Sequence, residues 1–125
     1  MLTLFAIPKA FRGQFDAIQI NAIESWTQLE PRPEIILFGD DEGTAAAAQR
    51  YGLRHEPEVA RNAWGTPRVD TMFARAQAIA ANDLICYINS DIILTQAFAD
   101  AADEMRARDT RFAALLGIPS QGGRM

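Results

Sequence analysis

Residues 82–94 read Asn82-Asp83-Leu84-Ile85-Cys86-Tyr87-Ile88-Asn89-Ser90-Asp91-Ile92-Ile93-Leu94. The run from Leu84 to Ile88 is apolar throughout, with no polar residue alternating into it, which marks a strand buried on both faces. The polar triplet Asn89-Ser90-Asp91 interrupts the run, and Ile92, Ile93 and Leu94 restore its apolar character. Strands covered on both faces belong to parallel sheets enclosed by helices, so the flanking sequence should alternate apolar runs with amphipathic helices.

It does. Residues 2–7 form an apolar run closed by Pro8, and residues 34–38 form another, centred on Ile35-Ile36-Leu37-Phe38 and ended by Gly39-Asp40-Asp41-Glu42-Gly43. Between them, after an Arg12-Gly13 turn, Phe15, Ile18, Ala22, Trp26 and Leu29 recur at spacings of three and four. That predicts a helix with this face inward, stopped by Pro31 and Pro33 because a proline pushes its predecessor out of the helical region. Thr44 is placed to cap a short alanine-rich helix that ends near Tyr51, with Gly52 as its C-terminal stop. Residues 53–59 read as a short polar strand and loop. Thr66-Pro67 reads as the cap and first turn of a helix running to about Ala81, with Val69, Met72, Phe73, Ala76 and Ala80 inward. Thr95 starts a further helix with Phe98, Ala101, Ala102 and Met105 inward, and residues 112–118 form a last strand. The expected class is α/β, a three-layer α/β/α sandwich around a mostly parallel sheet. One domain spans residues 1–118 and a polar tail covers 119–125.

Composition narrows the function. A chain of 125 residues with 49% apolar and 22% charged residues is one globular domain's worth. The net charge of −4 disfavours a general nucleic-acid surface. Cys86 is the one cysteine, so no intramolecular disulfide forms, and His55 is the one histidine, so any two-histidine site is excluded. No apolar run approaches the roughly 18 residues of a membrane span, and the start does not read as a signal peptide, which makes the cytoplasm the expected compartment. Gly39 and Gly43 are not followed by the lysine and hydroxyl of a phosphate loop, and no G-x-G-x-x-G occurs.

In a parallel sheet ligands bind beyond the carboxyl ends of the strands. Three such ends carry polar groups: Pro8-Lys9, Asp40-Asp41-Glu42 and Asn89-Ser90-Asp91. In an extended chain Asn89 and Asp91 point the same way. An amide oxygen and a carboxylate on one side suit a hard cation such as Mg²⁺ or Mn²⁺, which would neutralise a diphosphate. The other reading of both acidic segments is a polar turn at a strand exit. Arg68 and Arg75, on the helix after Thr66, match phosphate oxygens or form solvated surface, and Asp70 suits a first helical turn through the dipole alone. His55 reads as a loop residue and Cys86 as an inert core thiol. Trp64, beside Gly65, lines a pocket or anchors a loop.

Together these segments resemble the N-terminal, nucleotide-binding half of GT-A fold glycosyltransferases, in particular the family 2-like nucleotide-diphospho-sugar transferases of bacteria. The resemblance covers residues 2–118. It rests on the opening strand with Pro8, on Phe38-Gly39-Asp40-Asp41, on Gly65-Thr66-Pro67 and on residues 82–94, whose Asn89-Ser90-Asp91 stands in the family's D-x-D place. It implies transfer of a sugar from a nucleotide-diphosphate donor, of UDP type, to an acceptor hydroxyl. It implies that Asp40 or Asp41 meets the base, that Pro8 and Arg68 belong to the donor site, and that Asp91 with Asn89 holds Mn²⁺ or Mg²⁺. The sequence departs from the pattern at Asn89, a neutral ligand where the family has an acid. The family's acceptor site and catalytic base follow the strand matched here by residues 112–118, so no base is assigned, and a truncated GT-A unit with its donor half alone is expected. The alternative is a catalytically inactive GT-A-like scaffold or interaction module that dimerises across apolar surface. A receiver-like domain is disfavoured, because the one lysine, Lys9, ends the first strand rather than the last.

Overall fold

In the computed structural model, which describes residues 2–82, 84–108 and 113–116, strands and helices alternate along the chain. They are β1 (Leu2–Ala6), α1 (Gln14–Thr27), β2 (Glu34–Phe38), α2 (Thr44–Tyr51), β3 (Arg54–Glu56), α3 (Val69–Ile79), β4 (Leu84–Ile88), α4 (Gln96–Arg108) and β5 (Ala113–Leu116). The strands form one sheet in the order β3-β2-β1-β4-β5, with every pairing parallel. The chain builds outward from β1 through β2 to β3, then returns to the other side of β1 for β4 and β5. The order therefore reverses between β1 and β4, where the strand ends part to leave a crevice.

The pleat sends alternate residues to two cores. Leu2, Leu4, Ala6, Ile35, Leu37, Leu84, Cys86 and Ile88 pack against α1, α2 and α4 on one face. Phe5, Ile36, Phe38, Ile85 and Tyr87 pack against α3 on the other, through Met72 and Ala76. Helices on both faces give the expected α/β architecture, and the continuous apolar runs follow from it.

Helix placement departs from the sequence reading in four ways. On α1, Phe15 and Ile18 are 38% and 41% exposed, whereas Gln19 and Ile23 are buried with Ala22 and Trp26. The buried face is turned because the Gln19 amide is used to bind β1 and β4. Thr44 does not cap α2: Gly43 does, in the left-handed region, and the buried Thr44 hydroxyl has no partner among the described residues. Gly52 ends α2 in the left-handed region as expected. The third helix begins at Val69 with Arg68 as its cap residue, because Pro67 is drawn into an antiparallel bridge with Arg61. On α4 Ala101 is exposed, while Ala99 and Ala102 are buried. The inward role of Met105, strand residues 112 and 117–118 and the tail 119–125 lie outside the described residues.

Gly43 also sets the loop after β2. Its φ is +91°, and a Cβ there would stand 2.7 Å from the Cβ of Phe11 and 2.9 Å from its ring. Phe11 cannot retreat freely, since its N–H donates to the Glu42 carbonyl at 2.8 Å. Gly43→Ala combines a left-handed penalty of about 1–2 kcal/mol with overpacking of similar size. Urea denaturation should show a loss of about 2–4 kcal/mol, about twice that of Gly52→Ala, whose φ of +69° carries the left-handed penalty alone because nothing lies within 4 Å of it.

Candidate ligand-binding cleft

The polar strand ends lie on one edge of the sheet, as a parallel arrangement requires. At the switch point between β1 and β4 they enclose a cleft of about 410 Å³, lined by Pro8, Lys9, Asp41, Asn89, Ser90 and Asp91 with Arg61, Thr66 and Pro67 across from them. A second lobe of about 730 Å³ lies beyond β2 and β3, lined by Asp40, Glu56, Glu58, Arg61, Thr71 and Arg75 among others. Arg61 and Met72 line both lobes.

The floor of the first lobe is built by Gln19. Its Oε1 accepts from the Lys9 N–H at 2.7 Å and from the Ser90 hydroxyl at 2.6 Å, while its Nε2 donates to the Lys9 carbonyl at 2.9 Å. One buried amide thus joins the ends of β1 and β4. Ser90 and Asp91 form a turn that ends β4, closed by the Ile92 N–H donating to the Asn89 carbonyl at 3.3 Å. Residues 92–94 do not resume the strand. They are pinned to α1 by the Trp26 indole N–H donating to the Ile92 carbonyl at 2.8 Å and by the Ser25 hydroxyl accepting from the Leu94 N–H at 3.0 Å. Strand alternation therefore does not orient Asn89 and Asp91; what joins them is their place on the same cleft wall, Asn89 half-buried and Asp91 exposed.

The acids after β2 are divided among three surroundings. Glu42 is paired with Arg12 at 2.7 Å, Asp41 faces the β1/β4 lobe, and Asp40 faces the β2/β3 lobe. His55 lies in β3 rather than a loop, and its Nε2–H donates to the Gly39 carbonyl at 2.7 Å, holding the start of the acidic segment. Arg68 lines neither lobe. Its guanidinium is paired with Asp70 at 2.8 Å, and that hydrogen bond draws the Asp70 carboxyl below its usual range. Arg75 lines the β2/β3 lobe with its Nε donating to Glu56 at 3.1 Å. Cys86 is inert as expected, its thiol pushed up to about 12 by burial. Trp64 is 87% exposed at the tip of the 61–67 turn.

Two lining residues, Gln19 and Arg61, are absent from the sequence expectations. Gln19 had a signal, since Gln19, Ile23 and Trp26 share helical spacing and a glutamine on an apolar face needs partners. Arg61 had none, because only the bridge to Pro67 brings it over the cleft. Among the described residues no three His, Cys, Asp or Glu side chains converge as a metal site, and no helix is long and apolar enough to cross a membrane. No family model matches this chain, and neither a curated protein nor a solved structure matches it.

Proposed function

We propose that the chain binds a nucleotide-diphosphate sugar, of UDP type, together with Mg²⁺ or Mn²⁺, as the donor-binding unit of a GT-A-type glycosyltransferase. The observation that carries this reading is the cleft at the β1/β4 switch point, where Lys9, Asn89 and Asp91 line one wall. One carboxylate with one amide oxygen is a small ligand set, and it fits a cation that keeps water and takes its remaining ligands from substrate phosphates. Asn89 and Asp91 would hold that cation, which when bound supplies neutralising charge to a departing diphosphate. The base belongs in the larger lobe. There Asp40 presents a carboxylate that accepts base N–H groups, whereas Asp41 shares its lobe with the phosphates and would repel them without the cation. Pro8, buried at the end of β1, closes the apolar side of the smaller lobe.

Calorimetric titration with UDP in the presence of Mn²⁺ tests the reading. Wild-type protein should bind, and Asp91→Ala should weaken the Mn²⁺-dependent binding at least tenfold, about 1.4 kcal/mol. Absence of binding at millimolar UDP, or binding indifferent to Asp91→Ala, overturns it. Absence of binding with a dimer in light scattering would instead favour the scaffold reading.

A further inference from the structure

We propose that Arg61 is a phosphate-binding residue at the junction of the two lobes. This rests on the cleft being a nucleotide site. Arg61 is the charged residue that lines both lobes, the other shared residue being the buried thioether Met72. A ligand with its base in one lobe and its sugar or cation in the other has to pass this junction, and in a nucleotide the phosphates lie between those parts.

The guanidinium is held within the turn that borders the junction. Its Nη1 donates to the Gly65 carbonyl at 3.0 Å within the 61–67 turn. The turn is braced by Asn62, whose Oδ1 accepts from the Trp64 and Thr66 N–H groups at 2.8 and 3.1 Å, and by the Asn62 N–H donating to the Thr66 carbonyl at 2.9 Å. The Arg68 N–H donates to the Ala60 carbonyl at 2.9 Å and ties the base of the turn. One donor of Arg61 is thus spent on positioning, and the others of its planar fork remain.

Among the described residues its charge also has no carboxylate partner. Arg12, Arg50, Arg54, Arg68 and Arg75 are each paired with a carboxylate, while Arg32 and Arg61 donate to backbone carbonyls, and of these two Arg61 is the one that lines the cleft. The smaller lobe carries Asp41 and Asp91 against Lys9 and Arg61. Lys9 is a compact charge stacked 5.0 Å over the Phe15 ring, so the bidentate group suited to phosphate is Arg61.

The test compares uridine, UMP and UDP by calorimetry on wild type, Arg61→Ala, Arg61→Lys and Asn62→Ala, with inorganic pyrophosphate titrated separately without divalent cation. Arg61→Ala should weaken UDP and pyrophosphate at least tenfold, UMP less, and uridine not at all. Arg61→Lys should recover part of the loss, and Asn62→Ala, which loosens the turn that positions the guanidinium and keeps the charge, should lower the UDP-to-uridine ratio by less than Arg61→Ala does. Wild-type UDP binding that Arg61→Ala leaves unchanged overturns this inference and spares the nucleotide reading. A loss spread equally over uridine, UMP and UDP makes Arg61 a brace of the turn only and also overturns it. Pyrophosphate binding that depends on Arg61 without any uridine or UDP binding upholds the phosphate assignment while the nucleotide reading falls, and binding of neither ligand overturns both.

Discussion

Gln19→Leu is expected to lower folding stability by about 3 kcal/mol and to abolish the UDP binding proposed for the cleft, although the substitution is close in volume and lies on a helix. Gln19 is 1% exposed, and its amide serves the Lys9 N–H, the Lys9 carbonyl and the Ser90 hydroxyl at once. Leucine fills the space and serves none of them. A buried polar group left without its partner costs about 1–3 kcal/mol, more than the net gain from forming the bond. Lys9 lies near the surface and can recover some hydration, so the low end of that range is taken for each of three groups. Urea denaturation reads the total, and hydrogen exchange at the Lys9 amide reads its origin, which should accelerate by far more than amides in β2. A loss below about 1 kcal/mol with unchanged Lys9 exchange would mean that the amide is not what joins the two strand ends.

Trp26→Ala should be the most damaging single substitution, costing about 3–5 kcal/mol through lost burial and an incompletely closed cavity. The side chain is fully buried in the core shared by α1, α2 and α4. A domain of this size is stable by about 5–15 kcal/mol, so a substantial unfolded population is expected at moderate temperature. Trp26→Phe separates the two roles of the indole. The ring packing largely survives, while the Ile92 carbonyl loses its N–H donor, for a cost of about 1–2 kcal/mol. That smaller change should fall on the segment after the Asn89-Ser90-Asp91 turn, whose other anchor to α1 is the bond from the Leu94 N–H to the Ser25 hydroxyl. Circular dichroism is the suitable probe, because the remaining tryptophan, Trp64, is 87% exposed and reports little of core packing. Equal losses for Trp26→Ala and Trp26→Phe would show that the hydrogen bond, and not the buried ring, carries the stabilisation.

The strongest sequence signals were those with a local physical cause. Residues 84–88 are apolar throughout, and residues 2–6 and 35–38 nearly so, because each strand is covered on both faces; the exception, Thr3, spends its hydroxyl on Glu34. The polar strand β3, Arg54–Glu56, gave a weaker signal because it is paired on one side only, at the sheet edge. Gly52 was legible because a left-handed helix end favours glycine whatever surrounds it.

Helix starts misled for a related reason. Thr44 and Thr66-Pro67 carry good local capping signals, and both were overruled by contacts from elsewhere: Gly43 is pressed against Phe11, and Pro67 is bridged to Arg61. The division of Asp40 and Asp41 between two lobes was likewise out of reach, since adjacent carboxylates look alike in a sequence. Gln19 and Ser90 are 71 residues apart, and only the parallel pairing of β1 with β4 brings them within 2.6 Å.

By itself, then, the sequence determined the class of the fold and the edge on which the polar strand ends gather, because periodicity and end signals are properties of neighbouring residues. The tertiary structure decided the strand order β3-β2-β1-β4-β5, the crevice between β1 and β4, the use of Gln19 as its floor and the place of Arg61 between the lobes. Those depend on which distant segments pack together, and the free energy that selects them comes from cores and buried hydrogen bonds shared across the whole chain.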